Sequence, residues 1–239
     1  MKKKACDKIG IINYDVKLSE HISENDLIKE IHKMNNNNNI HAILVQLPLP
    51  KHINEANILN KISLKKDVDG FHVQNIGKLA LKRMDGLSAP CTPEGCIELL
   101  RRYNISIPGK HAVIVGRSNI VGMPLSLLLL HNNATISICH SKTSDLFEHT
   151  KRADILVLAC GNPMFIKKEH IKKGCVIIDI GINAINDTSK KKGYRLVGDC
   201  DFDDVINKVS AITPVPGGVG PMTIALLLKH TVNACINYL

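Results

Sequence analysis

The sequence predicts an α/β fold built on a doubly wound parallel sheet. Three observations carry this. First, short runs that are apolar or broken by a single polar residue recur at 112–115 (AVIV), 155–159 (ILVLA) and 176–180 (VIIDI), as expected of strands covered on both faces. Second, helix-like or turn segments at 124–131, 145–151, 168–171 and 202–208 alternate with them, and alternation of this kind argues for a parallel sheet. Third, the chain is 44% hydrophobic but only 3% aromatic, with no Trp, so its core is Ile, Leu, Val and Ala.

The organising stretch is 111–130, HAVIVGRSNIVGMPLSLLLL. It reads as a buried strand, a glycine turn over 116–122 and a helix opening at Pro124. Gly116 permits a sharp exit from the strand, and Gly122 permits close approach of backbone to a ligand or to the sheet. Pro124 suits a first helical turn, where its missing N–H costs nothing. A helix N-terminus with free N–H groups suits a phosphate. The spacing is not the G-x-G-x-x-G dinucleotide fingerprint, so a plain strand-to-helix connection stands beside the nucleotide-site reading.

Before this stretch, 11–16 and 40–47 (IHAILVQL) read as strands, the second stopped by Pro48 and Pro50. Residues 23–34 read as a helix capped by Ser23, with Leu27, Ile28, Ile31 and Met34 on one face. A short helix is expected over 54–62, a polar loop over 65–71 and a helix over 90–103, with Thr92 as cap and Pro93 in its first position. After the glycine turn, further strands are expected at 135–139 and 196–197. Residues 211–213 lead into PVPGGVGP, and 222–239 form a long helix. A domain crossing is expected at 90–103.

Lys and Arg exceed Asp and Glu by 31 − 22 = 9. A basic balance fits nucleic acid or small anions, but few aromatics lie near the lysines to stack on bases, and nucleic acid is not expected. Eight cysteines without a C-x-x-C pair read as reduced core residues. The eleven histidines show no metal-ligand spacing, so no metal is expected. No apolar run approaches the ~18 residues of a membrane span, and no signal peptide is visible. A cytoplasmic location is expected, with an organelle left open. Met1–Lys8 lacks a helix start signal while Gly10 looks like a helix stop, so the chain is expected to open inside a helix.

Four motifs stand in order: VQLPLP at 45–50, KDVDGF at 66–71, GRSNIVGMP at 116–124 and TPVPGGVGPMT at 213–223, with PCTPEG and CHSKT between them. Together they closely resemble the bifunctional methylenetetrahydrofolate dehydrogenase/cyclohydrolase family over essentially the whole chain. The resemblance implies a Rossmann-type cofactor domain over 91–215 and a folate-binding α/β domain over 1–90, completed by the C-terminal helix as 216–239 returns to it, around a cleft. It implies NADP as cofactor, tetrahydrofolate derivatives as substrates, and a homodimer. The activities implied are oxidation of 5,10-methylenetetrahydrofolate to the methenyl form and its hydrolysis to 10-formyltetrahydrofolate. The family signature is a Tyr followed four residues later by a Lys. Lys2 takes the place of that Lys, and the Tyr would precede Met1. A truncated chain is the expectation. An inactive or regulatory folate- or nucleotide-binding protein, and a monofunctional dehydrogenase, stand as alternatives.

Site residues follow from the same resemblance. Read bare, Lys2 is part of a solvated basic start. The family gives it activation of water, a role open to a lysine drawn out of water. Gln46 would hydrogen-bond that lysine, and the backbone of Val45 and Leu47 would line the folate pocket. Asp69, otherwise a turn residue, would accept an N–H and an amino group of the pterin through one carboxylate, leaving Asp67 structural. Pro216, Gly217, Gly218, Val219 and Gly220 would form a backbone wall against folate, and Thr223 would reach the cofactor. Gly116, Arg117 and Ser118 belong to the phosphate turn. Ser141 stands after the second strand, where folds of this class read the ribose. With Arg117 and Lys142 nearby it suits a 2′-phosphate. Ile182 would pack near the adenosine or nicotinamide.

Overall fold

A computed structural model describes residues 2–83 and 88–237. The chain divides into two compact units. One comprises Met1–Cys91 with Ile224–Leu239, the other Thr92–Thr223. The segment 216–223 therefore groups with the second unit.

The first unit is helical among the described residues. It contains α1 (Lys2–Lys8), α2 (Glu24–Asn35), α3 (Glu55–Leu59) and α4 (Val73–Ala80). Ser23 caps α2, its Oγ accepting from the Asp26 N–H at 3.1 Å. Asn54 caps α3 through the Asn57 N–H. Leu27 and Ile31 of α2 meet Ile43, Ile53, Ile58, Leu59 and Ile62 in one cluster. The strands expected at 11–16 and 40–47 are not formed. A strand exists only where a neighbour completes its ladder. Ile12, Tyr14 and Val16 are exposed, and 40–47 makes a single bridge, Ile43 to Asp67. The helix α4 carried no expectation from sequence.

The second unit holds α5 (Cys91–Arg102, beginning one residue earlier), β1 (His111–Val115), α6 (Gly122–His131), β2 (Thr135–Cys139), α7 (Leu146–Thr150), β3 (Ile155–Leu158), β4 (Val176–Asp179), β5 (Asn183–Asn186), β6 (Tyr194–Val197), α8 (Phe202–Val205) and β7 (Ala211–Ile212). Five strands form a parallel sheet in the order β2-β1-β3-β4-β7. Alternate residues serve opposite faces. Ala112, Ile114, Ile155, Val157 and Ile178 pack with Cys96, Leu100, Leu125 and Leu129 of α5 and α6. Val113, Val115, Leu156, Leu158 and Ile177 pack with Ile166, Ile171 and Val205 on the other side. Burial on both faces explains the unbroken apolar runs.

Two expectations are corrected here. The strand at 196–197 is not in the parallel sheet. It belongs to β6, which pairs antiparallel with β5, and the polar NAIN sequence of β5 concealed the hairpin. The C-terminal helix α9 starts at Val219, before the predicted 222, and runs to Ile236. At 18 residues and mean hydropathy 1.3 it meets the length and composition of a membrane span, against the expectation that no run approached it. A core helix passes the same test, and Leu226, Leu227 and His230 of α9 are buried.

Candidate active site

The order β2-β1-β3-β4-β7 reverses direction at β1, whose neighbours β2 and β3 lie on opposite sides. In open parallel sheets the ligand crevice lies at the carboxyl ends of the strands flanking that point. The glycine turn leaves β1 there. Gly116 adopts φ +128°, a region closed to most side chains, and a Cβ on it would overlap the Ala159 carbonyl beyond β3. A Cβ on Gly122 would overlap the carbonyl of Gly116 itself. Gly122 thus allows the turn to close on its own backbone, rather than allowing a ligand close.

The expectation of free N–H groups at the start of α6 needs correcting. Ser118 Oγ accepts from Val121 N–H (3.2 Å) and Gly122 N–H (3.3 Å), and its carbonyl accepts from Met123 N–H (3.0 Å). The turn staples its own helix. Ser118 is a stapling residue, and Arg117 stands exposed beside it. At the end of β2, Ser141 and Lys142 are exposed and His140 is partly so, with the His140 N–H bound to Thr143 Oγ1 (2.8 Å).

Two buried carboxylates that sequence reading missed hold the loops after β3 and β4. Asp199 accepts from the N–H groups of Cys160 (2.8 Å) and Gly161 (3.0 Å) and from Asn183 Nδ2 (2.9 Å). Asp179 accepts from the N–H groups of Gly181 (3.0 Å), Asp199 (3.0 Å) and Cys200 (2.8 Å). Burial pushes the Asp179 carboxyl up to about 6, outweighing these donors, and the Asp199 charge adds to the rise. Gly181 and Gly198 leave room for the carboxylates, since a Cβ on either would overlap one. The aspartates in IDIG and GDCD were the available signal. Ile182, between these anchors, is 64% exposed, an unfilled apolar surface at the strand ends.

In the segment 213–220, Gly217 adopts φ +109°. A Cβ on Gly218 would crowd the Pro214 oxygen at 2.6 Å. Pro216, Gly217 and Gly220 are exposed, whereas Val219 is buried in the sheet core. Any wall formed here is backbone, and the Val219 side chain is its anchor. Thr223 Oγ1 lies 3.0 Å from Thr92 Oγ1. A cavity of about 360 Å³ beside Pro216 is lined by Lys190, Lys191, Lys192, Tyr194, Arg195 and Leu196, which makes this edge strongly cationic.

In the first unit, Lys2 Nζ donates to Gln46 Oε1 at 2.9 Å, and Gln46 Nε2 donates to the Leu47 carbonyl at 2.8 Å. Two residues 44 positions apart are joined by the amide between them. Gln46 is exposed, and Val45 and Leu47 are partly buried. The Lys2 charge also acts on Asp69. Asp69 stands on a fixed loop. The Asp67 carboxylate accepts from the N–H groups of Gly70 (3.1 Å), Phe71 (3.4 Å) and His72 (2.8 Å) and from Asn75 Nδ2 (2.6 Å). Gly70, at φ +73°, passes too close to the backbone of 88–90 for any side chain. Burial raises the Asp69 carboxyl to about 6. The Asp67 charge reinforces this, while Lys2, the Cys91 thiol and His230 oppose it. Cys91 and His230 were not among the site residues read from sequence.

Neither a disulfide nor a group of three potential metal ligands occurs among the described residues. Six of the eight cysteines are buried, while Cys160 is exposed and Cys235 partly so.

A glycine turn at the reversal point of a parallel sheet, joined to a unit that presents a lysine–amide pair and a buried carboxylate, defines a class: a nucleotide-binding domain coupled to a small-molecule catalytic domain. Residues 90–238 match the family model described as tetrahydrofolate dehydrogenase/cyclohydrolase, NAD(P)-binding domain, and residues 1–69 match its catalytic domain. The chain is 56% identical over 232 residues to bifunctional protein FolD 2 of Arabidopsis thaliana, covering 97% of this chain and 78% of that protein. It is 50% identical over 242 residues to bifunctional protein FolD of Chloroherpeton thalassium, covering all of this chain and 82% of that one. Among solved structures it superposes on the bifunctional FolD enzyme of Campylobacter jejuni with a TM-score of 0.92 at 46% identity, over 100% of this chain and 82% of that one. The Trypanosoma brucei enzyme, solved with NADP cofactor and an inhibitor, gives 0.94 at 39% identity over 99% and 80%. The chain belongs to the tetrahydrofolate dehydrogenase/cyclohydrolase family.

Proposed function

We propose that this protein oxidises 5,10-methylenetetrahydrofolate to the methenyl form with NADP and hydrolyses that product to 10-formyltetrahydrofolate. The observation that carries the reading is the 2.9 Å bond between Lys2 Nζ and Gln46 Oε1, in a chain whose two parts both match this family.

The nucleotide-binding part fits NADP on its own chemistry. Cβ-free positions shape the turn after β1, and Arg117, Ser141 and Lys142 stand exposed at or just beyond the ends of β1 and β2. A guanidinium and an ammonium suit a 2′-phosphate, and an acid would be wanted for a free ribose hydroxyl. Gly116, Arg117 and Ser118 would hold the phosphates, with Ser141 at the ribose. Ile182 and Thr223 would bound the rings. When bound, NADP supplies the acceptor for the hydride leaving the methylene carbon.

The remaining work falls to the chain's own groups. Asp69, ionised, accepts two hydrogen bonds from the pterin edge and fixes its orientation. The backbone of Val45, Leu47, Pro216, Gly217, Gly218, Val219 and Gly220 lines the flat ligand. Gln46 holds the Lys2 amine in one direction, and Lys2 takes the proton from the water that adds to the methenyl carbon. Hydride transfer needs positioning more than acid–base help, so Lys2 serves chiefly the hydrolytic step. Assembly as a homodimer and residence in the cytoplasm complete the reading, with nucleic acid and membrane outside it. Relatives named as chloroplastic and mitochondrial keep an organelle in view.

The test follows reduced nicotinamide and methenyl hydrolysis side by side in purified protein. Turnover of both, with NADP preferred to NAD, is expected. Failure to bind either a reduced folate or NADP would sink the proposal.

A further inference from the structure

The carbonyl oxygen of Val68, one peptide before Asp69, accepts from two buried side chains. His230 Nδ1 lies 3.0 Å away on α9, and Cys91 Sγ lies 3.2 Å away at the start of α5. The two donors are themselves 3.5 Å apart. His230 is 4% exposed and Cys91 2%. A carbonyl oxygen only accepts, so the His230 tautomer is fixed with its proton on Nδ1. Both lone pairs of the Val68 oxygen are then filled. That oxygen lies in the Val68–Asp69 peptide plane, which carries the Asp69 Cα and so bears on the direction of its side chain.

On the other flank, the Asp67 carboxylate gathers the N–H groups of Gly70, Phe71 and His72. Asp69 is thus clamped from both sides. The downstream clamp is local turn chemistry. The upstream clamp is not, because Cys91 and His230 lie 23 and 162 residues from Val68 in sequence. Nothing in a turn requires such donors. Both Cys91 and His230 also favour the ionised form of the Asp69 carboxyl.

We infer that His230, with Cys91, is a positioning residue for folate recognition: it orients the Val68–Asp69 peptide so that the carboxylate meets the pterin edge. This rests on the reading of Asp69 as the pterin acceptor. A two-pronged contact tolerates little misdirection, because both hydrogen bonds must form together. The groups facing Asp69 from the elements around it are Lys2 on α1, Asp67 on its own loop, Cys91 on α5 and His230 on α9.

The experiment measures binding of 5-formyltetrahydrofolate and of NADP to the full 239-residue chain by calorimetry. His230→Phe keeps a ring and deletes the donor. It is expected to weaken folate binding about tenfold, the loss of one well-made hydrogen bond, with NADP affinity within about twofold. His230→Asn places an amide N–H near the former Nδ1 and is expected to recover most of the loss. The acid limb of folate affinity moves to higher pH in His230→Phe, because Asp69 loses a group that holds its proton affinity down. Should the phenylalanine variant not fold, Cys91→Ala against Cys91→Ser makes the same comparison at the other donor. Unchanged folate binding in the donor-deleted variants, while Asp69→Asn loses it, overturns the inference alone. Equal damage from phenylalanine and asparagine, or parallel loss of NADP binding, also overturns it. If Asp69→Asn itself binds folate normally, the reading of Asp69 falls and the inference with it.

Discussion

Lys66 is 1% exposed, yet its Nζ donates to the carbonyls of Met34 (3.1 Å), Asn35 (2.7 Å) and Asn37 (2.9 Å). These carbonyls lie at and just past the end of α2; those of Met34 and Asn37 also accept from the N–H groups of Asn37 (3.3 Å) and Ile40 (3.0 Å), and the lysine adds a donor to each. Burial lowers the lysine's proton affinity, and three acceptors favour the charged form. Lys66→Met keeps the stem and deletes the amine, removing one charged donor from each of the three carbonyls. A loss of about 2 kcal/mol in unfolding free energy is expected, read from denaturant melts. A different outcome is expected at Lys2. On the proposed role of Lys2, Lys2→Met removes the group that handles the water proton and leaves the hydride path intact, so methenyl hydrolysis falls more steeply than methylene oxidation. Equal loss of the two activities in paired assays would contradict that division. Among single residues, motifs in linear order singled out Lys2, Gln46 and Asp69, and the expected bond between the first two is formed. Cys91 and His230 were not, since their meaning comes from one carbonyl that only the fold brings to them.

At the scale of elements, the turn from β1 to α6 is the most sharply constrained piece of backbone. Gly116→Val would force a branched side chain into φ +128° and into the Ala159 carbonyl. The expected consequence is at least tenfold weaker NADP binding, with a thermal midpoint lowered by several degrees. An intact NADP affinity in a calorimetric titration would show that the turn is not part of the nucleotide site. This turn was readable because glycine and proline mark backbone needs directly. The parallel strands were readable because burial on both faces leaves an unbroken apolar run. The segments 11–16 and 40–47 misled because alternation and apolarity describe a strand's faces but not its neighbours. The β5–β6 hairpin was missed for the converse reason. It pairs outside the buried sheet, and Asn183–Asn186, with Ala184 and Ile185 between two asparagines, is too short and mixed to make an apolar run.

At the scale of the molecule, one carboxyl links acidity, stability and ligand binding with opposite signs. Asp69 titrates near 6 in the folded protein against 3.8 for a free aspartate. The native state therefore holds its proton more tightly than the unfolded chain does. The corresponding stability is fully present below 3.8 and is lost as pH rises through about 6. Asp179 titrates in the same range and contributes with the same sign from the other unit. On the proposed role of Asp69, folate recognition runs the other way, because the pterin edge donates and needs the ionised acceptor. Below about 6 each unit of pH removes most of the competent form, so affinity for 5-formyltetrahydrofolate falls toward tenfold per unit. The expectation is a folate dissociation constant nearly flat from about pH 7 to 8 and steeply rising from about 6 to 5. Asp69→Asn abolishes that limb together with most of the affinity, and also removes part of the decline in thermal midpoint between about pH 4 and 6. Asp179→Asn removes part of the stability decline and leaves the folate limb in place. A folate limb that survives in Asp69→Asn, or disappears in Asp179→Asn, would assign the titration to the wrong carboxyl and break the link between the acid loop and the pterin.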